Sequence, residues 1–297
     1  MADADKGSII HDIGFRHYSG QRMGRPFVVR SLVADTLRGT FGIGRPGREK
    51  VTPWILFGIM MLPAFVMLII LIVTHSNEEI PDYNQYLINL QFVSALFVAS
   101  RAPYALSRDL RDGVMPLYLS RPMTTRDYVL ARFLGLTAGT SIFLVAPITF
   151  LLAGALLAEL PPIDQLTGFL MGVILAVILA VLISAIGLAI ACHTARRGIA
   201  MAGIVAVLLL TNGLSNVFYQ ILDWRGEADL ASYMVAFNPY GLVDGIGASV
   251  LGLTSGTDLQ PPTSMNAGIL FVAIYLLILA VCALLLARRY RKVAAGA

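Results

Sequence analysis

Few residues in this 297-residue chain are placed to do covalent chemistry. There is no Gly-x-x-x-x-Gly-Lys-[Ser/Thr] loop to cradle phosphates. The nearest stretch, Gly44 to Lys50 (GRPGREK), lacks the spacing and the hydroxyl. His11, His17, His75 and His193 do not cluster at ligand spacing, and neither His-Glu-x-x-His nor Gly-x-Ser-x-Gly occurs. Glu78-Glu79 has the residue types of a carboxylate dyad, but it sits in a short loop between apolar runs, where a solvated turn is expected. Cys192 and Cys282 lie in or at the end of apolar runs and imply no disulfide framework. The chain is expected to be non-catalytic, with no metal or cofactor of its own.

Two sets of residues remain. The first is polar side chains inside apolar segments: Asn89, Gln91 and Ser94 in one, Thr211, Asn212, Ser215 and Asn216 in another. Such groups face protein or water rather than lipid. They would line a substrate path or a dimer seam, or simply hydrogen-bond between helices. The second is the loop 107–127. Gly113 suits a helix end, Val114 to Leu119 is a short and mostly apolar piece, Arg121-Pro122 forces a turn, and Thr124 with Asp127 resembles a capping pair. Val114, Leu117 and Tyr118 then form an apolar knob rimmed by Arg108, Asp109, Arg111 and Asp112. Apolar surface rimmed by charge suggests docking; the alternative is a loop packed on the protein's own inner loops.

The elements that must position these residues follow from composition. Hydrophobic residues make up 57% and charged residues 13%, against about 25% charged in a soluble domain. Mean hydropathy is +0.75. These values exclude disorder and an ordinary soluble fold and point to an all-α, polytopic membrane protein. The first 20 residues lack the apolar core of a cleavable signal. Six stretches approach the roughly 20 apolar residues that span a bilayer: about Pro53 to Thr74, Tyr86 to Leu106, Tyr128 to Leu157, Gln165 to Cys192, Ile199 to Leu222, and Ala267 to Ala287. With six spans and both ends inside, 21 of the 22 Lys and Arg residues fall on one side, and only Arg225 on the other. Tyr240 to Leu253 is apolar but short, and is expected as a re-entrant or interfacial helix within the outer segment 223–266. The rest divides into a cytoplasmic segment 1–25, a helix over 26–44, the six-span domain 53–292 and a tail 293–297. In the 26–44 helix, Val29, Leu32, Val33, Thr36, Leu37 and Thr40 fall on one stripe, about 140° wide at ~100° per residue. Beside a span and flanked by Arg22, Arg25 and Arg45, it reads as lying in the inner membrane interface; the alternative is packing on protein. Trp54, Trp224 and Tyr290 fit interface anchors. Gly135, Gly139, Ser184 and Gly187 fit close helix packing.

Asp109-Leu-Arg-Asp-Gly113, followed by Leu117-Tyr-Leu-Ser-Arg-Pro-Met-Thr-Thr-Arg-Asp-Tyr-Val-Leu-Ala-Arg132, resembles the signature loop of ABC transporter permeases of the type-2 exporter class. The amphipathic "elbow" before span one, six spans with both ends inside, and Phe237-Asn-Pro-Tyr240 in the outer segment are similar to that family as well. The resemblance implies that Gly113 to Ser120 is a coupling helix docking into a separate ATPase subunit, with Arg108, Asp109, Arg111, Asp112, Val114, Leu117, Tyr118, Arg121 and Pro122 at the contact. It implies a second permease subunit, two copies of the ATPase, and ATP with Mg on that partner. Spans two and five would border the substrate path. It also implies a plasma membrane location, with no role for nucleic acid. An ion-coupled carrier would place ionisable residues near the midplane, and none is found there; Arg101 lies near the inner end of span two. A non-ABC membrane scaffold is the other alternative.

Overall fold

The computed structural model describes residues 23–74, 82–114, 117, 118, 120, 122–194 and 196–294. Expectations for the segment 1–22, for His75 and Glu78-Glu79, for Arg121 and for the end of the tail lie outside the described residues. The described residues form helices and no strand. In chain order the helices are α1 (Arg25–Thr40), α2 (Gly47–Thr74), α3 (Tyr83–Asn89), α4 (Gln91–Arg111), α5 (Thr125–Leu157), α6 (Pro162–Ala191), α7 (Arg197–Trp224), α8 (Ala228–Tyr233), a 3₁₀ turn Met234–Phe237, α9 (Pro239–Val250) and α10 (Met265–Ala294).

Five of these, α2, α5, α6, α7 and α10, are long and apolar enough to cross a membrane. They carry exposed Ile, Leu, Val and Phe side chains along their lengths, among them Ile55, Ile59 and Leu62 on α2 and Leu276, Leu277 and Leu284 on α10. Such surface suits hydrocarbon rather than water. α6 is the central helix, with two-thirds of its apolar window (67%) buried and α5, α10, α4, α9, α7 and α3 packed around it.

The segment expected as span two is different. It breaks at Leu90 into α3 and α4, and α4 falls short of the apolarity of the other five. Its Ser94, Ser100, Arg101, Ser107 and Asp109 are all buried, because α2, α5, α6 and α7 surround it. A helix sheathed in other helices is solvated by protein, so lipid does not set its composition.

α1 begins with Pro26 in its first turn and ends in a tight reversal. At Gly42 φ is +70°, and a Cβ would lie 2.9 Å from the Glu49 carbonyl oxygen, so only glycine lets α1 turn into α2 here. The stripe on α1 faces α5. Leu32, Thr36 and Thr40 are buried, while Val29, Val33 and Leu37 are half-buried. A Cβ on Gly135 would lie 2.5 Å from Thr36 Cβ, and one on Gly139 2.7 Å from Thr40 Cγ2. The two glycines form the trough that α1 occupies. The buried part of the stripe thus packs on protein, the alternative that the sequence left open, while Phe27 on the outer face is half exposed.

α9 is buried from Pro239 through Ser249. It is wedged against α6 and α10, with Gly245 over the Phe271 ring, where a Cβ would come within 2.5 Å. A short helix at this position was expected; its burial in protein from Pro239 through Ser249 was not.

Candidate functional site

The site is built at the end of the bundle where α4 stops, α5 starts and α6 and α10 finish. The Ser107 hydroxyl donates to the Ala191 carbonyl at 2.9 Å, and Arg289 Nε to the Cys192 carbonyl at 3.2 Å. These bonds tie the α4 and α10 ends to the α6 end. α4 closes as its sequence suggests: Gly113 has φ +63° and the Val114 N–H reaches back to the Asp109 carbonyl at 3.2 Å. The chain then makes a short turn in which the Leu117 and Tyr118 amides donate to the Val114 carbonyl. Thr124 and Asp127 form a reciprocal capping box that starts α5.

Asp127 also receives Arg25 of α1 in a two-pronged contact, 2.9 Å from Nε and 2.7 Å from Nη2. That bond holds the Arg25 guanidinium above its ordinary pKa. The capping residue of α5 is thereby also the anchor of α1.

Behind the loop lies a buried ionic node. Arg132 Nη2 donates to Asp109 Oδ2 at 2.5 Å, and the Tyr128 hydroxyl donates to the same oxygen at 2.6 Å. Arg132 Nη1 donates to Thr36 Oγ1 at 3.1 Å and lies 3.5 Å from Asp35 Oδ2. Nη2 also reaches the Tyr118 hydroxyl at 3.3 Å. The Tyr118, Tyr128 and Tyr290 rings follow one another at centroid separations of 5.3 and 5.5 Å. Arg132 and Asp109 are 5% and 9% exposed, so neither charge could stay buried without the other. One guanidinium therefore joins α1, α4, α5 and the loop, and the ring stack extends the junction to α10.

Beside this node a cavity of about 430 Å3 opens between Asp35, Arg45, Tyr104, Asp109, Leu117 and Arg132. Arg45 lies over the Tyr104 ring at 4.6 Å and 3.6 Å from Asp35.

The loop residues thus divide by role. Leu117 is 69% exposed, and Arg111, Asp112, Gly113 and Pro122 are exposed around it, with Val114 half-buried. Arg111 and Asp112 pair at 3.1 Å in solvent, where such a pair contributes at most about 1 kcal/mol. Two expectations are corrected. Asp109 is no part of a rim, because Arg132 and Tyr128 draw it inward. Tyr118 is not a free aromatic knob, because its ring lies against Tyr128 and its hydroxyl accepts from Arg132. The Arg108 side chain and Arg121 lie outside the described residues. Tyr290, expected as a membrane-interface anchor, is buried on Tyr128. Arg132 was the key residue not singled out from sequence, although a lone arginine one turn inside an apolar run was a visible signal.

Of the seven polar residues in the apolar segments, Gln91, Asn212 and Asn216 come together, through Asn238. Asn238 Nδ2 donates to Gln91 Oε1 at 3.3 Å and to Asn212 Oδ1 at 3.1 Å, and Asn216 Nδ2 donates to the same Asn212 oxygen at 3.1 Å. Ser94 hydrogen-bonds the Tyr240 hydroxyl at 2.9 Å, and Ser215 donates to the Met234 carbonyl at 2.9 Å. Burial raises the Tyr240 phenol above its ordinary pKa, with the Ser94 bond opposing. Thr211 bonds back to Val207 within α7, and Asn89 is exposed at the end of α3. Asn238 is the residue that links the two sets, and its side chain also caps α9.

At the same end a second buried carboxylate, Asp244, is fully enclosed. It accepts from Asn84 Nδ2 at 2.6 Å, Ser255 Oγ at 2.7 Å, the Gly256 N–H at 2.9 Å and Thr257 Oγ1 at 3.1 Å. Sequence reasoning passed over it.

No candidate metal cluster occurs among the described residues. The sequence matches no protein-family model and no curated protein.

Proposed function

We propose that the chain is the membrane subunit of an ATP-driven ABC exporter of the type-2 class. Two copies would enclose the substrate path. A pair of soluble ATPase subunits would dock beneath, with ATP and Mg bound on those partners. α4 serves as span two, which completes a count of six, with both chain ends on the basic, cytoplasmic side of a bacterial plasma membrane.

The observation that carries this reading is the mechanical layout of the 107–127 loop. It exposes Leu117, while the adjacent residues are clamped through Asp109, Tyr118, Tyr128 and Arg132 to α1, α5 and α10. A push on Leu117 from an ATPase closing on ATP would move those helices together as a body, rather than deform a slack loop. The Asp109 to Arg132 resemblance supports the same reading. The docking surface is Leu117 with Val114, Arg111, Asp112, Gly113 and Pro122, and Tyr118 positions it from behind. The amide chain of Gln91, Asn238, Asn212 and Asn216 fits the border of the path.

The chain purified from its native membranes should retain a soluble ATPase whose Mg-dependent hydrolysis the chain alone lacks. Absence of any such ATPase would favour an ion-coupled carrier or a scaffold. Cysteines at Asp164 and Asp258 should react with an impermeant thiol reagent from outside, and those at Arg111, Arg197 and Lys292 only from inside. Labelling of Lys292 from outside would overturn the even span count.

A further inference from the structure

A second cavity, of about 420 Å3, lies between α5, α6 and α10 on the flank of the bundle. Its walls are almost wholly apolar, with Phe133 from α5, Val181 from α6, and Leu279 and Ala283 from α10. Arg126 and Arg291 stand at one end. Both are exposed, and neither forms an ion pair among the described residues. Arg126 sits in the first turn of α5, where the helix dipole disfavours a cation. An external anion at this point would relieve that repulsion and pair with both guanidinia.

The length of the groove identifies the rest of the occupant. Leu279 and Arg291 are twelve residues apart on one helix, or ~18 Å at the α-helical rise. Half of a bilayer's hydrocarbon core is about 15 Å. The groove is therefore long enough to reach from headgroup level to the middle of a membrane that α10 spans, with its charges at one end. Small side chains such as Ala283 leave the space open. A basic pocket between membrane helices is suited to acidic headgroups.

We infer that this groove is a binding site for an anionic phospholipid. One acyl chain lies along Phe133, Val181, Leu279 and Ala283, and the phosphate lies between Arg126 and Arg291. The site does not depend on the transport reading, and it holds for a carrier or scaffold equally.

The test counts lipid on the purified full chain by native mass spectrometry, after titration in neutral detergent with dioleoylphosphatidylglycerol or dioleoylphosphatidylcholine. The acidic lipid should be retained at least fivefold better. Arg126→Gln with Arg291→Gln should abolish that preference while leaving the circular dichroism spectrum unchanged. Ala283→Phe, which fills the groove from an exposed position, should reduce retention of both lipids. Equal retention of the two lipids by the unaltered chain would overturn the proposal, as would a preference that survives the double Gln variant. A lipid-free dimer disrupted by Ala283→Phe would assign the groove to a second copy instead. An ATPase co-purification result of either sign would leave these outcomes unaffected.

Discussion

The two ends of the molecule each bury an aspartate, and they solve the same electrostatic problem differently. At the Asp244 end, four neutral donors, Asn84, Ser255, the Gly256 amide and Thr257, surround the carboxylate. Three of the four come from a segment within thirteen residues of Asp244, so the cluster is chiefly a local lock that sets the 254–257 turn on α9 and fastens both to α3. At the Asp109 end a guanidinium replaces most of those donors. That guanidinium is shared with Thr36, Asp35 and Tyr118, so the bond reaches across four elements. The first arrangement fixes one region. The second ties several regions to one another, and it stands behind Leu117, which is the most exposed apolar residue among the described residues of the loop.

Breaking the ionic node should have the largest effect. Arg132→Met leaves Asp109 buried and unpaired, and loss of one partner of such a pair costs about 3–5 kcal/mol. Thermal unfolding in detergent should show a large drop, which Arg132→Met with Asp109→Leu partly restores. If the double variant is no more stable than the single one, the pair is not the source of the loss. Asp244→Ala should cost less, because Asn84, Ser255 and Thr257 keep the Thr254 and Leu259 carbonyls as acceptors, which leaves chiefly the Gly256 amide unsatisfied, at about 1–3 kcal/mol. It should loosen the 254–257 turn to proteolysis while ATPase association is unchanged. Loss of association in Asp244→Ala would blur the distinction between the two ends.

The α1–α5 seam is the next most sensitive point. Gly139→Val places atoms where Thr40 already stands, an overpacking that costs about 1–3 kcal/mol. The variant should free α1 and weaken the Arg25–Asp127 pair, read as faster cleavage between α1 and α2. Unchanged cleavage would mean that α1 is held elsewhere. The smallest effect belongs to Arg111→Ala, which removes an exposed pair. It should leave stability within about 0.5 kcal/mol and alter ATPase association only at low salt.

The sequence revealed the class of the fold because lipid-facing helices must be apolar, and five of them are. It counted Tyr86 to Leu106 as a sixth, less apolar span, whereas the chain breaks there at Leu90 and α4 is not among the five; protein packs around that helix, so its hydropathy reports its neighbours. The stripe on α1 was visible, but its partner was not, since Gly135 and Gly139 are merely two small residues in an apolar run until α1 lies on them. In the loop, the helix end at Gly113 and the capping box at Thr124 were legible from local chemistry. Which charges faced inward was not. Asp109 and Asp112 each follow an arginine in sequence, and it is Arg132, 23 residues after Asp109, that draws Asp109 inward. The same holds for Asn238, whose partners Gln91 and Asn212 are distant in the chain.

The central claim is that Leu117 is the contact through which a partner ATPase moves this chain, with the ionic node as its backing. It is tested most directly by Leu117→Asp, a change at an exposed position that touches neither Arg132 nor Asp109. Wild-type and variant chains would be purified from the same native membranes and compared for unfolding temperature and for Mg-ATP hydrolysis in the retained material. An unchanged unfolding temperature with hydrolysis reduced at least tenfold is the expected result. Equal hydrolysis in the two preparations, with the variant folded and inserted, would contradict it.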